Sequence, residues 1–413
     1  VGSLFLLYLL AIADRGIVSI LLEDIKEDLK LTDVQLSLLQ GLAFAAFYSI
    51  LGLPAGYLID RLPRRPILFL SAVSWSLCTV FTGVASAYPH LLLGRLGVGA
   101  AEAGIAPASY SILGDVFPRE RLAAPISVWS AAGALGGALA LIGGGWLLSI
   151  YSAPDFVMPI QGMAPWRLVM LTVGLPGILV AFLAFSFREP LRTATKAESS
   201  WREFGRRLSI HRSAYAGLFC GFGLATLIAY GIFSWTPTYL RREFGMSAHQ
   251  AGLVFGSMIG ILSVLAHLVN GFIVDAMTRR GYADAPIRFY LISLVLGLPV
   301  AVYGFLSRDV VAFLIATGCV LVVLTPITGF AAAAVQAITP PAMRAKAGAL
   351  FLVVINLFGM GLGPTLIALA ARRWFGGDLG PGCALVLFVA GLLAAFVLWI
   401  TRRPYVEAIR VSA

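Results

Sequence analysis

Charge is the scarcest property of this chain. Only 12% of its 413 residues are Asp, Glu, Lys or Arg, while 59% are hydrophobic and mean hydropathy is +0.91. A soluble protein of this length needs far more charge on its surface, so a soluble globular chain is excluded. Cysteine is equally sparse. Cys78, Cys220, Cys319 and Cys383 each lie in or beside an apolar run, with no C-x-x-C spacing, which points to packing rather than to metal or disulfide chemistry. No G-x-x-x-x-G-K-[ST] motif occurs, so a P-loop nucleotide as an energy source is excluded. No loop is long enough for a catalytic domain, and the intramembrane His and acids are not at ligand spacing; a membrane-embedded enzyme, a metal and a cofactor are not expected. No filter-like repeat marks a channel. The net charge of +10 comes without a basic stripe interleaved with aromatics, so nucleic acid is not the partner. No cleavable signal is visible and the sequence opens at Val1 inside an apolar run, so the natural N-terminus is expected to be missing. Neither Asn270 nor Asn356 starts a glycosylation sequon, which fits a bacterial source.

What is present is a series of apolar runs long enough to cross a bilayer, each needing about 20 residues. The first six cover roughly 1–22, 35–59, 66–87, 90–114, 122–150 and 166–187. The second six cover roughly 213–240, 248–276, 287–306, 310–338, 345–371 and 382–401. The predicted fold class is an all-α integral membrane protein. Twelve transmembrane helices form two six-helix bundles related by pseudo-two-fold symmetry. The expected division is a bundle at 1–187, a linker at 188–212 and a bundle at 213–413. One set of loops carries twenty basic residues and the opposite set eight. The richer side is cytoplasmic, which places both termini and the linker there and the chain in the inner membrane. In the linker, Trp201, Phe204 and Leu208 share a helical face among Arg206, Arg207 and Arg212, as in a short interfacial helix. Glu23 to Asp33, on the opposite side, reads as a solvated charged turn with a cap before the second span.

A loop motif is repeated. GYLIDRLPRR, Gly56 to Arg65, is echoed 215 residues later by GFIVDAMTRR, Gly271 to Arg280, again between two apolar runs. Gly, Asp, Arg and Arg recur at the same spacing, with Ala276 in the place of Arg61. Copies in corresponding loops of two hydrophobic halves are expected of an internally duplicated carrier.

Four charges lie inside spans, where each is costly: Asp14 and Arg15 in the first, Arg95 and Glu102 in the fourth. At about 1.5 Å per residue, Asp14 lies ~12 Å below the end of its span, Arg95 ~6 Å and Glu102 ~16 Å. Arg95, Gly99 and Glu102 share one face. The four sum to zero. Asp14 and Glu102 can gain a proton whereas Arg15 and Arg95 cannot lose one, so the set reads either as a proton switch with an anion-binding arginine or as a structural ion-pair network joining two helices. The second half offers His267, Asn270, Gln336 and Asn356 but no midplane acid or base. His267 and Asn356 are expected to be hydrogen-bonded core residues. One polar and one apolar half suit an amphipathic cargo. The glycine runs at 133–137, 143–145 and 359–363 permit close helix packing, and Pro364 permits a bend.

These features resemble the major facilitator superfamily over essentially the whole chain. GYLIDRLPRR is similar to that family's loop between spans 2 and 3, with Pro63 where glycine is common, and RLGVGAAEAG from Arg95 is similar to its span-4 motif. The resemblance implies alternating access by a monomer. Gly56, Asp60, Arg61, Arg64 and Arg65 would form a conformational switch clamping the cytoplasmic ends of the two halves, with Asp275 in the weaker second copy. GDVFPRER reads either as adding Asp115, Arg119 and Arg121 to that charge network or as a solvated loop. Within the family, Asp14-Arg15, Arg95 with Glu102-Ala103, PAGYLIDR and Phe187-Arg188-Glu189-Pro190 resemble the spinster lipid transporters. That implies a lysophospholipid-like or sphingosine-phosphate-like substrate in the bilayer, protons coupled through Asp14 and Glu102, and Arg15, Arg95 and Glu102 at the substrate. Organic anion–proton symporters share the Asp-Arg pair and the span-4 arginine and are the alternative; a drug or metabolite exporter of the same superfamily is another.

Overall fold

Apolar run length decides where helices form, and small polar interruptions decide where they break. The computed structural model describes residues 1–118, 121–191 and 200–412. In chain order the helices are α1 (Gly2–Leu29), α2 (Asp33–Gln40), α3 (Leu42–Arg61), α4 (Arg64–Gly83), α5 (Tyr88–Glu102), α6 (Ile105–Val116), α7 (Ala123–Tyr151) and α8 (Pro165–Val180). Then follow α9 (Trp201–Ile210), α10 (Arg212–Phe244), α11 (Ala248–Arg279), α12 (Ala285–Leu306), α13 (Val310–Leu324), α14 (Ile327–Ala337), α15 (Arg344–Ile355), α16 (Gly363–Trp374) and α17 (Leu379–Ser412). Among the described residues, twelve helical stretches are long and apolar enough to cross a membrane, as the hydropathy predicts. No strand occurs among the described residues.

Four of the spans are interrupted, and the interruptions have local causes. Gly41, with φ −103° and ψ −87°, separates α2 from α3. Ala103 and Gly104 separate α5 from α6 immediately after Glu102. Thr325 and Pro326 separate α13 from α14, because proline cannot donate the next helical hydrogen bond. Between α15 and α16, Asn356–Leu362 winds as a π-helix ahead of Pro364. Spans 4 and 10, in matching places of the two halves, are thus both discontinuous, which is how membrane carriers expose polar backbone at depth.

The chain separates into two units, Val1–Ala194 with Ser234–Ile261, and Thr195–Phe233 with Leu262–Ala413. The sequence division at 188–212 counts whole spans, whereas packing gives the hairpin joining α10 and α11 to the first unit. In that unit α1 lies against α7, where Gly136 meets the Leu9 backbone. The hairpin is held by backbone proximity too. A Cβ on Gly252 would run into the Leu141 carbonyl, so only glycine permits that approach.

In the second unit Asp284, capping position of α12, is buried and pairs with Arg402 of α17 at 2.5 Å and Arg288 at 3.2 Å. The linker helix α9 starts at a capping box, Ser200 with Glu203. Its Phe204 is buried, Arg207 donates to the Ile338 carbonyl and Lys346 lies 5.1 Å over the Trp201 ring. Asn270 is buried and donates to the Val322 carbonyl at 2.7 Å. His267 departs from the core expectation. It is exposed on α11, and its Nδ1 bonds the Ser263 carbonyl one turn back.

Candidate functional site

Four intramembrane charges come together in the first unit. α1 supplies Asp14 and Arg15, and α5 supplies Arg95 and Glu102 from one face. Asp14, Arg95 and Glu102 are each at most 3% exposed. α3 closes on α5 because position 99 is glycine: a Cβ there would collide with the Phe44 carbonyl. That approach brings the Phe44 ring within reach of both guanidinium groups, 4.2 Å from Arg15 and 5.5 Å from Arg95, with Tyr48 5.1 Å from Arg15.

The charges do not pair symmetrically. Arg15 grips Glu102 through Nη2 at 2.5 Å and Nε at 3.2 Å, both on Oε2. Asp14 instead accepts a hydrogen bond from the Thr79 hydroxyl of α4 at 2.6 Å. Arg95 donates through Nε to the Leu39 carbonyl at 3.4 Å, an acceptor near the Gly41 break. Arg95 Nη1 and Glu102 Oε1 are buried with no hydrogen-bond partner. An unpaired polar atom in a low-dielectric interior is costly, which marks these two as the remaining donor and acceptor of the cluster. A compact group with both accepting and donating atoms can use them.

The repeated loop yields a second network, at the junction of α3 and α4. Arg64 is fully buried and bonds Asp115 and Ser111 of α6, Glu189 and the Pro190 carbonyl. Arg65 bonds the Ala184 and Phe185 carbonyls. Burial raises the Glu189 carboxyl, but the Arg64 side chain and the Arg64 and Arg65 backbone N–H groups prevail and hold it below the ordinary glutamate value. The structure therefore brings Arg64, Arg65 and Asp115 together and adds Glu189. Gly56 is half-buried in α3 with open space around its Cα, and Asp60 is exposed. Arg61 is exposed with its guanidinium 3.9 Å from the Tyr57 ring; Arg121 and Asp275 are exposed and outside the Arg64 network. Arg119 lies outside the described residues.

A third network overturns the reading of Glu23 to Asp33 as a solvated turn, while the expected cap before the second span is present as the capping box of Thr32 and Gln35. α1 continues through Glu23, Asp24 and Asp28 because helix-forming residues follow the apolar run until Lys30 turns left-handed at φ 52°. Arg241 of α10 then bonds Asp24 at 2.7 Å and the Ile20 carbonyl at 3.0 Å. Arg242 takes Asp33 at 2.8 and 2.9 Å and Glu23 at 2.6 Å. Asp28 takes Arg167 and the Trp166 indole. Acids thirty residues into the chain find bases two hundred residues away, which no local pattern announces. Thr79 and Phe44 were equally silent in the sequence, being neutral residues within apolar spans. Glu189 stood only inside the Phe-Arg-Glu-Pro match.

Comparison with known proteins is consistent with this architecture. A protein named MFS-type efflux pump from Mycolicibacterium smegmatis is 27% identical over 417 residues, covering 98% of this chain and 92% of that protein. Protein spinster homolog 1 of Xenopus tropicalis is 27% identical over 394 residues, covering 90% of this chain and 72% of that protein. A probable L-galactonate transporter of Escherichia coli is 25% identical over 302 residues, 69% of this chain and 62% of that protein. Among solved structures, a bacterial homolog to human lysosomal transporter spinster, in an inward-facing and unoccupied conformation, superposes with a TM-score of 0.81. It is 25% identical, with 99% of this chain and 96% of that one covered. The family model described as Major Facilitator Superfamily matches residues 4–364. Twelve spans, a duplicated loop, buried charges in spans 1 and 4 and this match make the chain a member of the Major Facilitator Superfamily.

Proposed function

We propose that the chain is a proton-coupled secondary transporter of an amphipathic lipid with an anionic headgroup, working by alternating access in a bacterial inner membrane with both termini cytoplasmic. One observation carries the reading: a buried cluster of zero formal charge whose Arg95 Nη1 and Glu102 Oε1 have no partner. A headgroup oxygen can fill the arginine, and a proton can neutralise Glu102 or Asp14 when that arginine's charge is taken up. The resemblance of Asp14-Arg15, Arg95 and Glu102-Ala103 to the spinster lipid transporters supports a lipid. The spans of the second half hold His267, Asn270, Gln336 and Asn356 rather than midplane acids or bases, a composition that supports an amphipathic rather than a fully polar cargo. Asp60, Arg61 and Asp275 are proposed as switch residues of the cytoplasmic loops, and the Arg241–Arg242 pairs as the seal of the opposite side. The excess of basic residues in the loops holding Arg64 and Arg344 supports that orientation.

A second reading has its own support. Relatives named as galactonate and hexuronate transporters share 25% and 26% identity with this chain, and an unpaired buried arginine fits a carboxylate as well as a phosphate. Flux of labelled lysophosphatidylglycerol into proteoliposomes, with and without an imposed pH gradient, separates the two. Uptake that follows the gradient and disappears in Glu102→Gln supports the lipid carrier. Gradient-driven hexuronate uptake without lipid flux establishes the anion symporter, with Arg15 and Arg95 as its clamp.

A further inference from the structure

Asp14 is the buried acid of the cluster that no arginine grips. Every charged or titratable group facing it has another engagement or is uncharged. On α1, Arg15 is committed to Glu102. On α5, Arg95 reaches the Leu39 carbonyl and Glu102 is held by Arg15. On α4, Cys78 is a free thiol next in sequence to Thr79. The direct bond to the carboxylate comes from Thr79 Oγ1, at 2.6 Å, and both side chains are essentially inaccessible, at 3% and 0% exposure.

We infer that Thr79 is a positioning residue that sets the proton affinity of Asp14 by reversing its hydroxyl. This deepens the proton-coupled reading above and rests on it. With Asp14 ionised, the hydroxyl donates to the carboxylate and favours that form. With Asp14 protonated, the acid O–H donates to Thr79 Oγ1, and the hydroxyl hydrogen turns to the Trp75 carbonyl, four residues earlier. Threonine on a helix reaches that acceptor readily. The same bond is already made one turn along α4, where Thr82 donates to the Cys78 carbonyl at 2.9 Å. A hydroxyl serves both states because it is donor and acceptor at once; valine has the same shape and neither capacity. The proton state of Asp14 thereby reaches α4 as well as α1.

The test needs no substrate. Purified protein in liposomes is titrated with pH while the carbonyl-stretch infrared band of protonated carboxylic acids is followed, the Asp14 contribution being the band lost in Asp14→Asn. Because the bond donated to a charged carboxylate is stronger than the one accepted from the neutral acid, Thr79→Val should move the Asp14 midpoint to higher pH by about one unit, an approximately tenfold gain in proton affinity, and shift the band frequency as the acid loses its acceptor. Thr79→Ser should restore both. Thr79→Ala supplies the same readout should the valine variant not fold. An unmoved midpoint in Thr79→Val or Thr79→Ala, with the band still removed by Asp14→Asn, overturns the role of Thr79 and leaves the proton reading standing. If Asp14→Asn removes no titrating band, Asp14 takes up no proton, which overturns this inference and leaves Glu102 as the proton carrier of the reading above.

Discussion

Arg64 shows how a single residue can differ in kind from its sequence neighbours. Within GYLIDRLPRR three arginines look alike, yet Arg61 is exposed over Tyr57, Arg65 bonds backbone carbonyls and Arg64 alone is fully buried against two carboxylates. Removing a buried ion-pair member leaves its partners uncompensated, at a cost of several kcal/mol. Asp115 and Glu189 retain some solvent contact, at 14% and 29% exposure, so the low end applies. Arg64→Gln should lose about 3 kcal/mol, while Arg61→Gln changes stability by less than about 0.5 kcal/mol. Thermal unfolding in detergent ranks the two; equal losses would show that burial of Arg64 does not govern stability. The same scale explains what could be read in advance. Asp14, Arg15, Arg95 and Glu102 were conspicuous because charge in an apolar run is expensive. Which of them pair was not, since Phe44 and Thr79 decide it and a phenylalanine or threonine in a span carries no such mark.

Among elements, the α10–α11 hairpin is the one whose allegiance is informative. Its arginines take Glu23, Asp24 and Asp33, and its Gly252 meets the α7 backbone, so electrostatics and close packing act on the same segment. Charge reversal gives a directional prediction. Arg242→Glu should lengthen and broaden the distance between spin labels placed at the exposed positions Lys30 and Ser247, and the compensating Asp33→Arg should restore most of it. A distribution untouched by Arg242→Glu would show that glycine packing alone holds the hairpin. Helix existence here followed from hydropathy, whereas the docking of the charged last turns of α1 did not, because their partners Arg167, Arg241 and Arg242 lie far along the chain and local sequence does not encode them.

At the scale of the whole molecule, the two units anchor the same pair of spans with opposite signs. In the first, basic Arg64 at the start of span 3 takes acidic Glu189 beyond span 6; in the second, acidic Asp284 before span 9 takes basic Arg402 of span 12. The fold repeats the joint without repeating its charges. For Asp284, as for Glu189, burial raises the carboxyl and is outweighed, here by Arg402 and then Arg288, leaving it below the ordinary aspartate value. A carboxylate lowered in the folded state contributes stability that is complete above its unfolded pKa and is lost as pH falls through the folded one. Apparent melting temperature should therefore be flat near neutrality and fall once pH drops below the ordinary carboxylate range, and Asp284→Asn should flatten that acid limb while lowering the plateau. An acid limb unchanged in Asp284→Asn would assign the loss to other groups. The sequence by itself determined the membrane class, the number of spans, the duplication and the residues whose burial would be costly, because hydropathy and charge act locally and leave a record in composition. Only the tertiary structure decided that Arg15 rather than Arg95 grips Glu102, that Thr79 holds Asp14, and that Glu23 to Asp33 meets Arg241 and Arg242. Those are choices among equivalent charges, settled by which helices glycine allows to touch and by where α2 and α5 break.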